Sequence, residues 1–239
     1  MSYFDERDFR LARGTVVGTI NQLSVDERWE QETPAFVDAI LRYLPSDART
    51  ILDYGCGIGR LSKGLLARAP HCVVTGVDSS PTQIEHARGY LSDNRFTGSL
   101  PHQLEGCFDF GFCIYVLQHV RAIDLRPTLW NIHSHLAPGA VFVHCSSVRR
   151  MSVRRDTGFF FDDRFLGVDL EQELEQLFDP IGDLFSANEI EESLLLKRVM
   201  LGYNGANETD DNGDYGVVHR GKVYRKREVP VPYWKIPIP

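Results

Sequence analysis

From Thr50 onward the chain alternates two patterns. Short runs of consecutive apolar and β-branched residues, "TILDY" (50–54), "CVVTGVD" (72–78), "FDFGFCIYVL" (108–117) and "AVFVHCSSV" (140–148), are separated by segments with helical spacing of apolar positions. A weaker run, "RFTGSL" (95–100), fits the same rhythm. Strands that are apolar on both faces, alternating with helices, predict a mostly parallel sheet covered on both sides, an α/β doubly wound architecture. "GRLSKGLLARA" and "DLRPTLWNIHSHLAPG" supply crossover helices, the second closing at Pro138 and Gly139. "SSPTQIEHARGYL" reads as a helix with Ser80 as N-cap, Pro81 at the first helical position and Gln83 completing a capping box.

Outside this core the pattern changes. "SVDERWEQETPAFVDAILRYLP" predicts one or two amphipathic helices ending at Pro45, within an N-terminal extension over 1–49 that covers the core. The core is expected over 50–203. It includes an acidic helix, "GVDLEQELEQLF", and two strands joined by a polar loop in "IGDLFSANEIEESLLLKRVMLGYN". The stretch 204–239 is polar, then basic, then rich in proline and aromatics, and reads as a tail docked outside the core or exchanged between two subunits of a homodimer.

The composition is that of an ordinary globular protein, 43% apolar and 25% charged, and the formal charge of -7 argues against nucleic acid as a partner. No leader-like start and no apolar run near the ~18 residues of a membrane span occurs, so a cytoplasmic protein without membrane contact is expected. The five cysteines, Cys56, Cys72, Cys107, Cys113 and Cys145, have no C-x-x-C spacing and read as reduced thiols in the core. His133 and His135 point in different directions on a helix, and no metal is expected.

The densest chemical signal is "ILDYGCGIGR" (51–60), a strand running through glycines into a helix, which brings backbone N–H groups to a ligand without intervening side chains. A P-loop would continue Lys-Ser/Thr, whereas Arg60-Leu61 follows; a dinucleotide turn would read G-x-G-x-x-G, whereas the spacing here is G-x-G-x-G. The next strand ends at Asp78, where an acid can accept both hydroxyls of a ribose.

Together, "ILDYGCGIGR" and "VTGVDSSPTQIEHAR" resemble the first two motifs of class I S-adenosylmethionine-dependent methyltransferases. "FDFGFCIYVLQHV" resembles the fourth-strand motif of a subgroup with Gln-His after the strand, and "LWNIHSHLAPGAVFVH" the helix, turn and fifth strand that follow. The resemblance implies a Rossmann-like, mostly parallel seven-stranded sheet with an antiparallel last strand, and S-adenosyl-L-methionine as cofactor. It implies cofactor contacts from Asp53, Gly55 and Gly57 at the methionine end, Asp78 at the ribose, and Ser79, Ser99, Leu100 and the Cys113 carbonyl around the adenine. Gly59 would permit close helix packing. The family's usual acid after the third strand is replaced here by Ser99 and Leu100.

The resemblance also makes His119 the candidate base, Gln118 a residue that orients the acceptor, and Trp29 part of a cover over the cofactor. The chain has no Asn/Asp-Pro-Pro-aromatic motif, no Pro-Cys pair and no acids at the end of strand four, so the family comparison points to a small molecule or saccharide methylated at oxygen. Arg149 and Arg150, in a basic cluster after strand five, point to an anionic acceptor. The rival readings are a non-catalytic cofactor-binding partner protein of the same fold and a nicotinamide-dependent oxidoreductase.

Overall fold

A computed structural model describes residues 6–17, 24–148, 169–201 and 218–229. Its centre is a seven-stranded sheet in the order β3-β2-β1-β4-β5-β7-β6. The strands are β1 (Thr50–Tyr54), β2 (Val73–Val77), β3 (Phe96–Ser99), β4 (Phe108–Ile114), β5 (Leu136–Val148), β6 (Phe178–Asp183) and β7 (Val218–Lys226). β7 alone runs against its neighbours, pairing antiparallel with both β5 and β6. This is the mostly parallel sheet that the apolar runs predict, with the antiparallel last strand that the family resemblance implies.

Two apolar layers enclose the sheet. Residues of α3 (Thr33–Leu41), α4 (Arg60–Arg68), α5 (Pro81–Leu91) and α9 (Leu194–Leu201) pack on one face around Phe110, Phe112 and Val143. Residues of α6 (Ala122–His135) and α7 (Leu170–Glu175) pack on the other around Leu52, Phe142 and Phe178. Leu125, Leu129 and Ile132 are fully buried at spacings of three and four, so α6 lays one stripe on the sheet. The N-terminal segment folds as α1 (Phe9–Val17) and α2 (Val25–Glu27), which passes through a π-helical turn, Arg28–Glu32, directly into α3.

Two expectations for the C-terminal third are corrected. After β6 the chain forms α8 (Ala187–Glu192) and α9, where a second strand was expected. Leu196, Val199 and Met200 are the buried residues of α9, a helical spacing that the run of three leucines disguises. The last strand is Val218–Lys226, inside the segment read as an extra-core tail. On the face covered by α3 and α9 its buried positions are His219, Gly221 and Val223, while Tyr224 is buried on the other face. Two of these three are not apolar, so the period-two signal is faint. Of the rest of that tail, 204–217 and 230–239 lie outside the described residues. α6 also ends earlier than its Pro-Gly signal, at His135, because β5 already begins at Leu136.

Cys56, Cys72, Cys113 and Cys145 are buried free thiols, whereas Cys107 is exposed. Among the described residues no helix is long and apolar enough to cross a membrane, and no cluster of three or more His, Cys, Asp or Glu side chains forms a metal site.

Candidate active site

β1, β2 and β4 run parallel, so their carboxyl ends open on one rim of the sheet, the usual ligand side of such folds. At that rim β1 hands over to the glycine turn. Gly55, Gly57 and Gly59 all have positive φ, 81°, 53° and 80°, values that favour glycine over any residue with a Cβ. A Cβ at Gly55 would stand 2.1 Å from Val116 Cγ2 just beyond β4, and one at Gly59 would stand 2.2 Å from Leu91 Cδ1 on α5. Gly55 thus lets the turn lie against the exit of β4, and Gly59 lets α4 close on α5.

The turn is tied to β2 from both sides. The N–H groups of Gly55 and Cys56 donate to the Val77 carbonyl at 2.6 and 2.9 Å. The Gly57 N–H donates to Asp78 Oδ2 at 3.0 Å, and the Ser80 N–H donates to Asp78 Oδ1 at 2.9 Å. Each carboxylate oxygen has further lone pairs for a ligand hydroxyl. Ser80 also caps α5, its hydroxyl accepting from the Gln83 N–H.

Asp53, the residue before Tyr54 at the end of β1, is buried and accepts from Ser62 Oγ at 2.6 Å. Burial pushes its carboxyl up to about 7, against the Ser62 hydrogen bond that lowers it, with the charge of Asp78 adding to the rise. Its charge is therefore easily altered by a ligand at neutral pH.

On the adenine side of the expected cradle, Ser79 is exposed, and Ser99 ends β3 with its carbonyl accepting from the Asp78 N–H at 3.2 Å. The Leu100 carbonyl already accepts from Ser99 Oγ and the Gln103 N–H, which leaves the Ser99 hydroxyl oxygen as the freer acceptor of the two. Cys113 is wholly buried beneath Leu117, and burial pushes its thiol well above its ordinary range, so it is no nucleophile. Gln118 and His119 lie in a 3₁₀ turn, Leu117–His119, half-buried just past the end of β4. Arg149 and Arg150 lie outside the described residues.

Several residues at this rim are not singled out by sequence motifs. Arg60, the first residue of α4, reaches Glu32 Oε1 at 3.2 Å and Thr33 Oγ1 at 3.2 Å, while Arg28 Nε donates to Glu32 Oε2 at 2.7 Å. The Arg13 and Arg60 guanidinium groups lie over the Trp29 ring, 4.8 and 5.9 Å from its centre, and the ring is edge-to-face with Tyr90 of α5. The N-terminal cover is therefore fastened to the start of α4 next to the glycine turn. Tyr115, immediately after β4, holds a positive φ of 61°, which is strained for a residue with a bulky side chain. A separate open cleft of about 760 Å³ between α3, α8 and the last turn of α4 lies at the other end of α4, away from these groups.

The comparisons agree with this geometry. Residues 52–142, from the middle of β1 into β5, match the family described as "Methyltransferase domain". A trans-aconitate 2-methyltransferase of Enterobacter sp. (strain 638) is 39% identical over 67 residues, 28% of this chain and 26% of that protein. A tRNA U34 carboxymethyltransferase of Klebsiella pneumoniae is 33% identical over 129 residues, 49% of this chain and 35% of that protein. The matches thus span a quarter to about a third of these two relatives. Among solved structures, a TehB-like S-adenosylmethionine-dependent methyltransferase from Corynebacterium glutamicum superposes with a TM-score of 0.54 at 20% identity, over 84% of this chain and 96% of that one. Residues 52–142 therefore match a methyltransferase domain, set in the fold of that S-adenosylmethionine-dependent methyltransferase structure.

Proposed function

We propose that this chain transfers a methyl group to oxygen on a small molecule or saccharide. The observation that carries the reading is the bond from the Gly57 N–H to Asp78 Oδ2. It joins the two motifs into one cradle, with the glycine turn at one end and a ribose-binding carboxylate at the other. When bound, S-adenosyl-L-methionine supplies an electrophilic methyl group, so the protein's work is alignment and exclusion of water.

Asp53, Gly55 and Gly57 face the methionine end, Asp78 takes the ribose hydroxyls, and Ser79, Ser99, Leu100 and the Cys113 carbonyl surround the adenine, with Ser99 Oγ accepting from its amino group. His119 removes the acceptor's proton, a role worth ~100- to 10,000-fold. Gln118 orients the acceptor. α1 to α3, held by Trp29 and Arg60, keep water off the reacting centre. The acidic total of -7 favours a small acceptor over RNA, in keeping with the relative named for trans-aconitate rather than the one named for tRNA.

Calorimetry with S-adenosylhomocysteine should show binding that Asp78→Ala abolishes; binding untouched by that change would overturn the cradle. Incubation of a metabolite extract with isotope-labelled methyl donor, read by mass spectrometry, should give a labelled small product. His119→Ala should slow its formation about 100-fold at unchanged S-adenosylhomocysteine affinity. Cofactor binding without any labelled product would instead favour a non-catalytic partner protein.

A further inference from the structure

Next to the cradle, on the sheet face covered by α3 and α9, lies a set of polar groups that the cofactor contacts above do not use. Nε and a terminal nitrogen of Arg28 both go to one oxygen, Glu32 Oε2, at 2.7 and 2.6 Å, while Arg60 takes Glu32 Oε1. The second terminal nitrogen of Arg28 is therefore not engaged by Glu32. The three side chains are 6%, 4% and 1% exposed for Arg28, Arg60 and Glu32. Two guanidinium groups against one carboxylate leave a net positive charge where water does little to neutralise it.

The groups facing this trio do not cancel the charge at Arg28. His219 of β7 is held down to about 3 by burial and then by Arg28 itself, so its ring is neutral. Burial and Glu32 push the Tyr115 phenol and the Cys145 thiol well above their ordinary ranges, so both keep their protons. Asp53 acts on Arg60 from the cofactor side, but its carboxyl titrates near 7 and is bonded to Ser62. A buried charge of this kind is stabilised only by a matching ion and hydrogen bonds.

Tyr115 supplies the second observation. Its hydroxyl is buried and, among the described residues, has beside it only the Cys145 thiol, a weak acceptor. Its ring is fixed between Phe36 and His219, with centres at 5.5 and 4.7 Å. The backbone there is strained, with φ 61°, and the side chain packs against the core cluster that includes Phe36 of α3.

We propose that the methyl acceptor carries an anionic group, a carboxylate or a phosphate, which docks on the second terminal nitrogen of Arg28 and accepts from the Tyr115 hydroxyl. Glu32 is a positioning residue that holds the Arg28 fork, and Arg60 ties it to the glycine turn. The proposal rests on the methyltransferase reading and gives its acceptor a chemical class.

Calorimetric titration of the full chain, with and without S-adenosylhomocysteine, tests this with citrate for the carboxylate arm, inorganic phosphate for the other, and glycerol as neutral control. One of the two anions should bind and glycerol should not. Arg28→Gln should weaken that anion at least tenfold and Tyr115→Phe about threefold, with S-adenosylhomocysteine affinity changed less than twofold. Should Arg28→Gln fail to fold, Arg28→Lys keeps the charge without the fork and should still weaken the anion severalfold. Anions that bind no better than glycerol, or equally well to the Arg28 variants, would overturn the proposal. Absence of S-adenosylhomocysteine binding to the unaltered chain would instead remove the methyltransferase reading.

Discussion

Asp53 and Asp78 stand within reach of each other's fields at the ends of neighbouring strands, and their different surroundings give them different chemistry. Asp78 is half-exposed and holds two backbone N–H groups. Asp53 is buried, and its folded carboxyl titrates near 7 against an ordinary 3.8. A folded value above the unfolded one means that Asp53 contributes stability fully below about pH 4 and loses it as the pH rises through 7, by an amount on the order of a few kcal/mol. Urea unfolding should therefore show the ligand-free protein weakening between pH 4 and 8, with Asp53→Asn flattening that slope. Cofactor binding should run the other way. A cationic amino group at the methionine end favours the ionised acid, so S-adenosylhomocysteine affinity should rise from pH 6 to 8 in the unaltered protein and not in Asp53→Asn. At Gly55 the strain is steric: Ala there would press on Val116 in a left-handed backbone. Gly55→Ala should cost more than tenfold in calorimetric S-adenosylhomocysteine affinity while leaving the far-ultraviolet circular dichroism spectrum intact.

At the scale of elements, the N-terminal cover is held by charge as much as by apolar packing. The π-helical turn Arg28–Glu32 joins α2 to α3 without a break and carries both partners of the buried pair, in line with the tendency of π turns to mark functional positions. Glu32→Gln would leave two guanidinium groups unpaired and should cost about 3–5 kcal/mol in chemical denaturation. Glu171→Gln, which breaks the exposed pair with Arg220, should cost below about 1 kcal/mol. The cover shows what could be read in the chain and what could not. The glycine turn and Asp78 are legible because each is a local event, with a strand end, a turn and a helix start contiguous in sequence. Arg28, Glu32, Arg60 and Tyr115 come from three separate stretches, and along the chain their charges look like the solvated face of an amphipathic helix. α9 hides for a related reason, since three consecutive leucines look strand-like until the burial of Leu196, Val199 and Met200 reveals a helical period.

For the whole molecule, the order β3-β2-β1-β4-β5-β7-β6 makes the last strand an internal one. A stop after Leu201 would remove a stretch that reads by composition as an extra-core tail, yet it would separate β6 from the sheet. It would also uncover Val223's neighbours in the core and the Leu184 side chain packed against Gly221. Such a truncation should be insoluble or lack cooperative thermal unfolding, whereas an independent core over 50–203 would melt as the full chain does. His219, Gly221 and Val223 are too weakly apolar to announce a strand, so sequence pattern alone placed the boundary of the domain too early.

The position of β7 also bears on how the protein is made. The ribosome releases β5 well before β7, and β6 has nowhere to pair until β7 arrives, so a growing chain presents the open, apolar edge of β5 throughout that interval. An unpaired edge of this kind invites pairing with other nascent chains. Synthesis of the final segment is thus the step that closes the sheet, and codons that slow translation between the two strands should lengthen the interval and lower the yield of soluble protein.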